Sequence, residues 1–132
     1  MDGTPPSKAA LEHALAMHED AEIIVLHVVE TVPRTTGATG EPMAFNVQDE
    51  KAEEHASQLF DEAQRIADGY GIDLTTVTEI GKPARTIIKF AGERGVNHII
   101  IGSHGRTGVS RLLFGSVAEQ VVRQAPAPVT IV

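Results

Sequence analysis

Two hydrophobic patterns alternate along the chain: stripes with the period of a helix and short unbroken apolar runs. Pro5 and Pro6 suit a first helical turn, where a missing N–H costs nothing. Ala10, Leu11, Ala14, Leu15 and Met17 then form a stripe that predicts a helix over Ser7–Asp20. Ala21–Glu30, AEIIVLHVVE, is almost continuously apolar and rich in β-branched residues, the pattern of a parallel strand covered on both faces. Thr31–Val47, with Pro33, Gly37, Gly40 and Pro42, reads as a long surface loop. Gln48–Tyr70 is predicted helical, with Ala56, Leu59, Phe60, Ala63, Ile66, Ala67 and Tyr70 on one face. Its acidic start, DEKAEEH, suits the positive end of a helix as a solvated first turn.

The alternation continues past Gly71. Ile72–Ile80 is predicted as a strand, Ala84 to Gly95 as a helix, and Asn97–Ile101 as a second buried strand. Gly115–Gln124 follows as a helix with Val117, Val121 and Val122 inward, and PVTIV closes the chain as a strand. This order predicts one α/β domain over residues 1–132, an open parallel sheet with helices on both faces and right-handed crossovers.

Composition narrows the partners. Eleven basic against eighteen acidic residues give a net charge of −7, which disfavours nucleic acid and anionic membrane. With no cysteine there is neither a disulfide framework nor thiolate chemistry. No apolar run reaches the roughly 18 residues of a membrane span, and the start has no signal-peptide core. The expectation is a soluble cytoplasmic protein.

The chemistry concentrates in IIIGSHGRTGVSRLLFGSVAEQ, Ile99–Gln120, where four glycines fall within fourteen residues, Gly102 to Gly115. Glycine is costly in regular structure, so such density predicts a loop shaped around something. The loop follows a strand, and ligands of open α/β sheets bind beyond the carboxyl ends of strands. Gly102 and Gly105 permit close approach of backbone N–H groups. Gly115 and Ser116 open a helix whose first N–H groups lack internal partners, an arrangement that favours an anion, typically phosphate. Arg106 and Arg111 add positive charge. Neither G-x-x-x-x-G-K-[ST] nor G-x-G-x-x-G is present.

The spacing that is present, G-x2-G-x9-G-[ST] over Gly102, Gly105, Gly115 and Ser116, resembles the signature of the universal stress protein family. GSHGRTGVSRLLFGSVAEQVVRQAPAPVTIV is similar to that family's C-terminal third, DGTPPSKAALEHAL to its first helix and IIVLHVVE to its second strand. The resemblance implies a Rossmann-like fold that binds ATP, often with Mg or Mn held mainly by the phosphates. Asp2 would correspond to the acid that helps hold the nucleoside, and Val28 to the residue whose backbone reads the adenine. Ile101 and Gly102 would lie beside the ribose and phosphates. Gly105, Gly115, Ser116 and Val117 would form the phosphate loop and helix start. The resemblance further implies a homodimer built through the last strand, Val129–Val132.

One departure stands out. The family has an apolar strand just before the Asp-Gly motif, in the middle of the sheet, whereas here Asp2 follows Met1 directly. Only four strands are readable, Ile23–Val29, Leu74–Ile80, His98–Ile101 and Val129–Val132. The expectation is that the first central strand is missing from this chain, and that an apolar run of about five to seven residues is encoded just upstream of Asp2.

Other readings compete at several positions. Gly108 suits a tight turn, Ser116 a helix N-cap, Asp2 a turn before the prolines, and His104 an exposed loop. His27 lies in a buried strand as a core histidine. His13, His18, His55 and His98 have no metal-binding spacing. The functional expectation is an ATP-binding regulatory module of the stress response. The alternative is a slow ATPase or self-phosphorylating enzyme, for which no base or paired carboxylate is evident near the loop.

Overall fold

A computed structural model describes residues 1–30, 46–103 and 115–132. The order is α1 (Pro5–Met17), β1 (Ile24–Val29), α2 (Asn46–Asp68), β2 (Thr75–Ile80), α3 (Pro83–Arg94), β3 (Ile99–Ile101), α4 (Ser116–Gln124) and β4 (Val129–Ile131). The predicted alternation of helix and strand is therefore present. The loop expected over Thr31–Val47 lies mostly outside the described residues.

The strands pair in parallel. β1 runs beside β2 from Ile24↔Thr75 to Val29↔Ile80, and β3 beside β4 from Ile99↔Val129 to Ile101↔Ile131. Among the described residues these are two separate two-stranded sheets. α1 and α2 cover one face, where Leu11, Leu15, Ile23, Val25, Ala63 and Ala67 form a buried cluster. Ala63 and Ala67 have no exposed surface, and their small side chains let α2 lie close to the sheet. α3 packs against α4 and along β1. Lys8 of α1 and Glu62 of α2 form a surface ion pair at 2.7 Å.

Helix ends follow local chemistry. α1 has Pro5 in its first position, and the Thr4 carbonyl accepts the Lys8 N–H at 3.1 Å. α3 also starts on a proline and ends on Gly95 at φ 63°, the left-handed conformation that glycine adopts without steric cost. The helix predicted from Gln48 begins at Asn46 and stops at Asp68, so Tyr70 falls in the turn beyond it and is exposed. Met17, the last residue of α1, is also exposed. Val122, expected inward, is also exposed. α4 presents a narrow seam through Ala118 and Val121, and Val122 lies to one side of it.

Candidate functional site

The site begins with the direction of the strands. β1 and β3 are parallel members of an α/β fold, and their carboxyl ends carry Val28 and Ile101, with Gly102 immediately after. Both Val28 and Ile101 are half-buried.

α4 starts at Ser116, with Gly115 as its N-cap at φ 85° and ψ 152°. A Cβ would be strained at that φ. Ser116 is thus the first helical residue rather than the cap anticipated as its alternative role, and no side chain caps this end. The Gly115 carbonyl accepts the Glu119 N–H at 3.0 Å. The N–H groups of Ser116 and Val117 precede the helix's own ladder, which leaves them as donors for an acceptor outside it. Gly105, together with His104, Arg106, Gly108 and Arg111, lies outside the described residues.

Gly102 has a steric reason of its own. A Cβ built on it would stand 2.4 Å from both the carbonyl carbon and oxygen of Pro6, and 2.8 Å from the Pro6 Cβ. Glycine here lets the start of α1 rest directly on the end of β3. The backbone that closely approaches Gly102 in this structure is therefore the protein's own.

Asp2 sits just before α1. Its Oδ1 accepts the Thr4 N–H at 2.9 Å and the Thr4 hydroxyl at 2.5 Å. Burial alone would raise the Asp2 carboxyl, but the hydrogen bonds from Thr4 and the nearby N-terminal amine work against it, and the pKa lies below the usual value. Asp2 is thereby fixed as an ionised carboxylate at the start of α1. Thr4 does the fixing, in the turn before the prolines that Asp-Gly-Thr suggests. The Ser7 hydroxyl donates to the Thr4 carbonyl at 2.9 Å.

His27 is buried in β1, as expected of a core residue. Its Nδ1 donates to the Met1 carbonyl at 2.6 Å, and its ring meets His55 and Phe60 edge-on, with centroids 5.8 and 6.4 Å apart. Burial pushes the His27 pKa down, assisted by the N-terminal amine and His55 and opposed by the Met1 carbonyl. A histidine depressed in the folded state stabilises the fold above its unfolded pKa, near 6.5, and loses that contribution as pH falls toward the folded value. Unfolding followed from pH 7.5 to pH 5 should show declining stability that His27→Gln flattens. Parallel pH profiles for the two proteins would remove His27 as the source.

Two surface concavities flank these elements. One, of about 500 Å³, lies between the end of β2 and α3, lined by Ile80, Lys82, Arg85, Lys89 and Phe90 among others; it contains none of the candidate residues. The other, of about 310 Å³, runs along α4 and includes Ser116, Glu119 and Arg123. Arg123 is held by Glu119 at 2.7 Å. Among the described residues no three His, Asp or Glu side chains converge as a metal site, and no helix is long and apolar enough to cross a membrane.

Known proteins resemble this chain in sequence and in fold. A profile of the universal stress protein family matches residues 1–132. Universal stress protein MJ0531 of Methanocaldococcus jannaschii is 32% identical, over 99% of this chain and 77% of its own length. Universal stress protein YxiE of Bacillus subtilis is 33% identical, over 100% of this chain and 94% of its own. The solved structure of hypothetical protein MJ0577 superposes with a TM-score of 0.76 at 26% identity, covering 100% of this chain and 90% of that one. Two more distant structures share the fold. A universal stress protein in complex with cAMP has a TM-score of 0.69 at 22% identity, covering 100% and 90% of the two chains. An Arabidopsis thaliana family member with AMP bound has a TM-score of 0.68 at 18% identity, covering 95% and 76%. With the family profile matched from the first residue to the last and the alternating α/β order in place, the chain belongs to the universal stress protein family.

Proposed function

We propose that this protein binds an adenine nucleotide, ATP foremost, at the carboxyl ends of β1 and β3, and that it serves as a regulatory binding module of the stress response. The observation that carries the reading is the start of α4. Gly115 adopts a positive φ, no side chain among the described residues caps the helix, and the first N–H groups have no acceptor within the helix itself. Such an end favours phosphate by its unpaired donors and its dipole. Relatives of the same fold hold cAMP and AMP, which supports an adenine nucleotide as the ligand. Ser116 and Val117 would meet the phosphates, with Gly105 from the same motif. Ile101 and Gly102 would border the ribose, the Val28 backbone would read the base, and Asp2 would hold the nucleoside. A divalent ion, Mg or Mn, would be held chiefly through the phosphates.

Calorimetric titration with ATP, AMP and cAMP tests the reading. Saturable binding of at least one, competed by the others, is expected. No heat from any of the three at tens of micromolar protein would sink it. Incubating the complex for hours then separates module from enzyme: intact triphosphate fits a module, and steady loss to diphosphate fits the slow ATPase.

The same reading includes a homodimer. β4 pairs only with β3 among the described residues, so Val129–Val132 presents an open edge, and such edges invite pairing with a second chain. The parent protein should scatter light as two chains at tens of micromolar, and Ile131→Asp as one. A single-chain mass for the parent would refute the dimer.

A further inference from the structure

Two histidines that stand eighty positions apart in the sequence meet in space. His18 is the C-cap of α1, and His98 directly precedes β3. Their ring centroids are 5.2 Å apart, with the ring planes at 82°. The His98 Nε2 lies 2.6 Å from the hydroxyl of Thr130, on β4. Both histidines are half-buried, so each keeps an open side.

The fold explains the meeting. α1 packs against β3, with Pro6 at the start of the helix resting on Gly102 at the end of the strand. The helix therefore runs antiparallel to β3 and brings its far end to the beginning of that strand. Thr130 pairs with Ile100, two positions after His98, so the His98 and Thr130 side chains project from the same face of the sheet. This corner is at the amino end of β3, the opposite end from the nucleotide site proposed above.

Three features suit the corner to a transition-metal cation. The first is the separation: two imidazole nitrogens at about 2.0–2.1 Å from one tetrahedral ion set their ring centroids roughly 5 Å apart. The second is the partner of His98. A ligating histidine donates its other N–H to a polar neighbour, and with Nε2–H on the Thr130 hydroxyl the Nδ1 carries a lone pair. The third is local charge. The carboxyl end of α1 is the negative end of its dipole, and no basic residue stands in its last turn. Glu19 and Asp20, both exposed, follow in the turn that the Ala21 N–H closes onto the His18 carbonyl at 3.2 Å.

We propose that His18 and His98 form a site for a divalent transition ion, zinc foremost, with Thr130 orienting the His98 ring. Imidazole nitrogen suits zinc, whereas magnesium and calcium take oxygen. The site is therefore distinct in chemistry, as well as in place, from any Mg or Mn held through nucleotide phosphates. No third His, Asp or Glu converges with the pair among the described residues, so water completes the ion's shell and the ion stays exchangeable. A bound ion ties the end of α1 to the start of β3, and binding to the folded state alone raises stability.

Calorimetric titration of Zn²⁺ into the chelator-treated, nucleotide-free 132-residue chain tests the site. One ion per chain should bind with a Kd in the micromolar range and raise Tm by several degrees, and Mg²⁺ should do neither. His18→Asn and His98→Gln should each weaken the tightest event at least tenfold, and Thr130→Val about tenfold. His13→Gln, outside the pair, should leave it unchanged. Tm in chelator shows that each variant is folded. NMR of the parent needs no variant: zinc should shift the ring resonances of His18 and His98 and leave those of the other four histidines in place. Shifts confined to other histidines overturn the proposal. So does zinc binding that survives either His18→Asn or His98→Gln in a folded chain, or no saturable heat at tens of micromolar chain. No arm involves nucleotide, so the result stands apart from the ligand reading.

Discussion

Gly102→Ala is expected to destabilise the protein by about 2–4 kcal/mol, at the upper end of what one added methyl group costs. The new Cβ would stand 2.4 Å from the Pro6 carbonyl carbon and oxygen. Both atoms are backbone, so no rotamer change relieves the contact. The start of α1 must lift from the end of β3, or β3 must shift against β4. A domain has only about 5–15 kcal/mol in total, so this is a large fraction. Gly71→Ala supplies the control. Gly71 has a positive φ, 69°, which Gly102 does not, and a Cβ there meets nothing within 4 Å. It should cost about 1–2 kcal/mol, from backbone conformation alone. Denaturant midpoints for the two variants decide the matter. If Gly102→Ala is no worse than Gly71→Ala, α1 does not rest on β3 as described.

Gly115→Val is expected to weaken nucleotide binding about 100-fold. The effect combines two causes at one residue. At φ 85° a β-branched side chain is strained, and relief of that strain turns the Ser116 and Val117 N–H groups away from their common direction. Losing one or two charge-assisted hydrogen bonds, each about 1.5–3 kcal/mol, gives a change of that order. Ser116→Ala leaves both N–H groups in place and should lose only a few-fold. Tm for both variants shows whether the fold survives. A folded Gly115→Val with the parent's affinity would remove this helix end from the site.

Much of this was legible because local chemistry acts over a few residues. The apolar run at Ile23–Val29 and the stripe through Ala56, Ala63 and Ala67 state their periods directly, and both elements are present. Pro5 and Pro83 mark helix starts, and Gly71 and Gly95 mark breaks, because each limits or frees φ by itself. The turn toward α4 at Gly115 was readable for the same reason. By itself, then, the sequence determined the element types, their order and a glycine at the entry to α4.

Tertiary structure decided what each element meets. Gly102 was read as room for a ligand, yet the group that fills its Cβ space is Pro6, ninety-six positions earlier in the chain. Val122 matches the helical period but is exposed, because the seam against α3 is only Ala118 and Val121 wide. The fixing of Asp2 by Thr4 depends on the path of the chain into α1. Which backbone groups of β1 and β3 stay open follows from strand register, and a one-residue slip would exchange paired for unpaired edges. Periodicity fixes which residues share a face; only the packing of distant segments decides what that face touches.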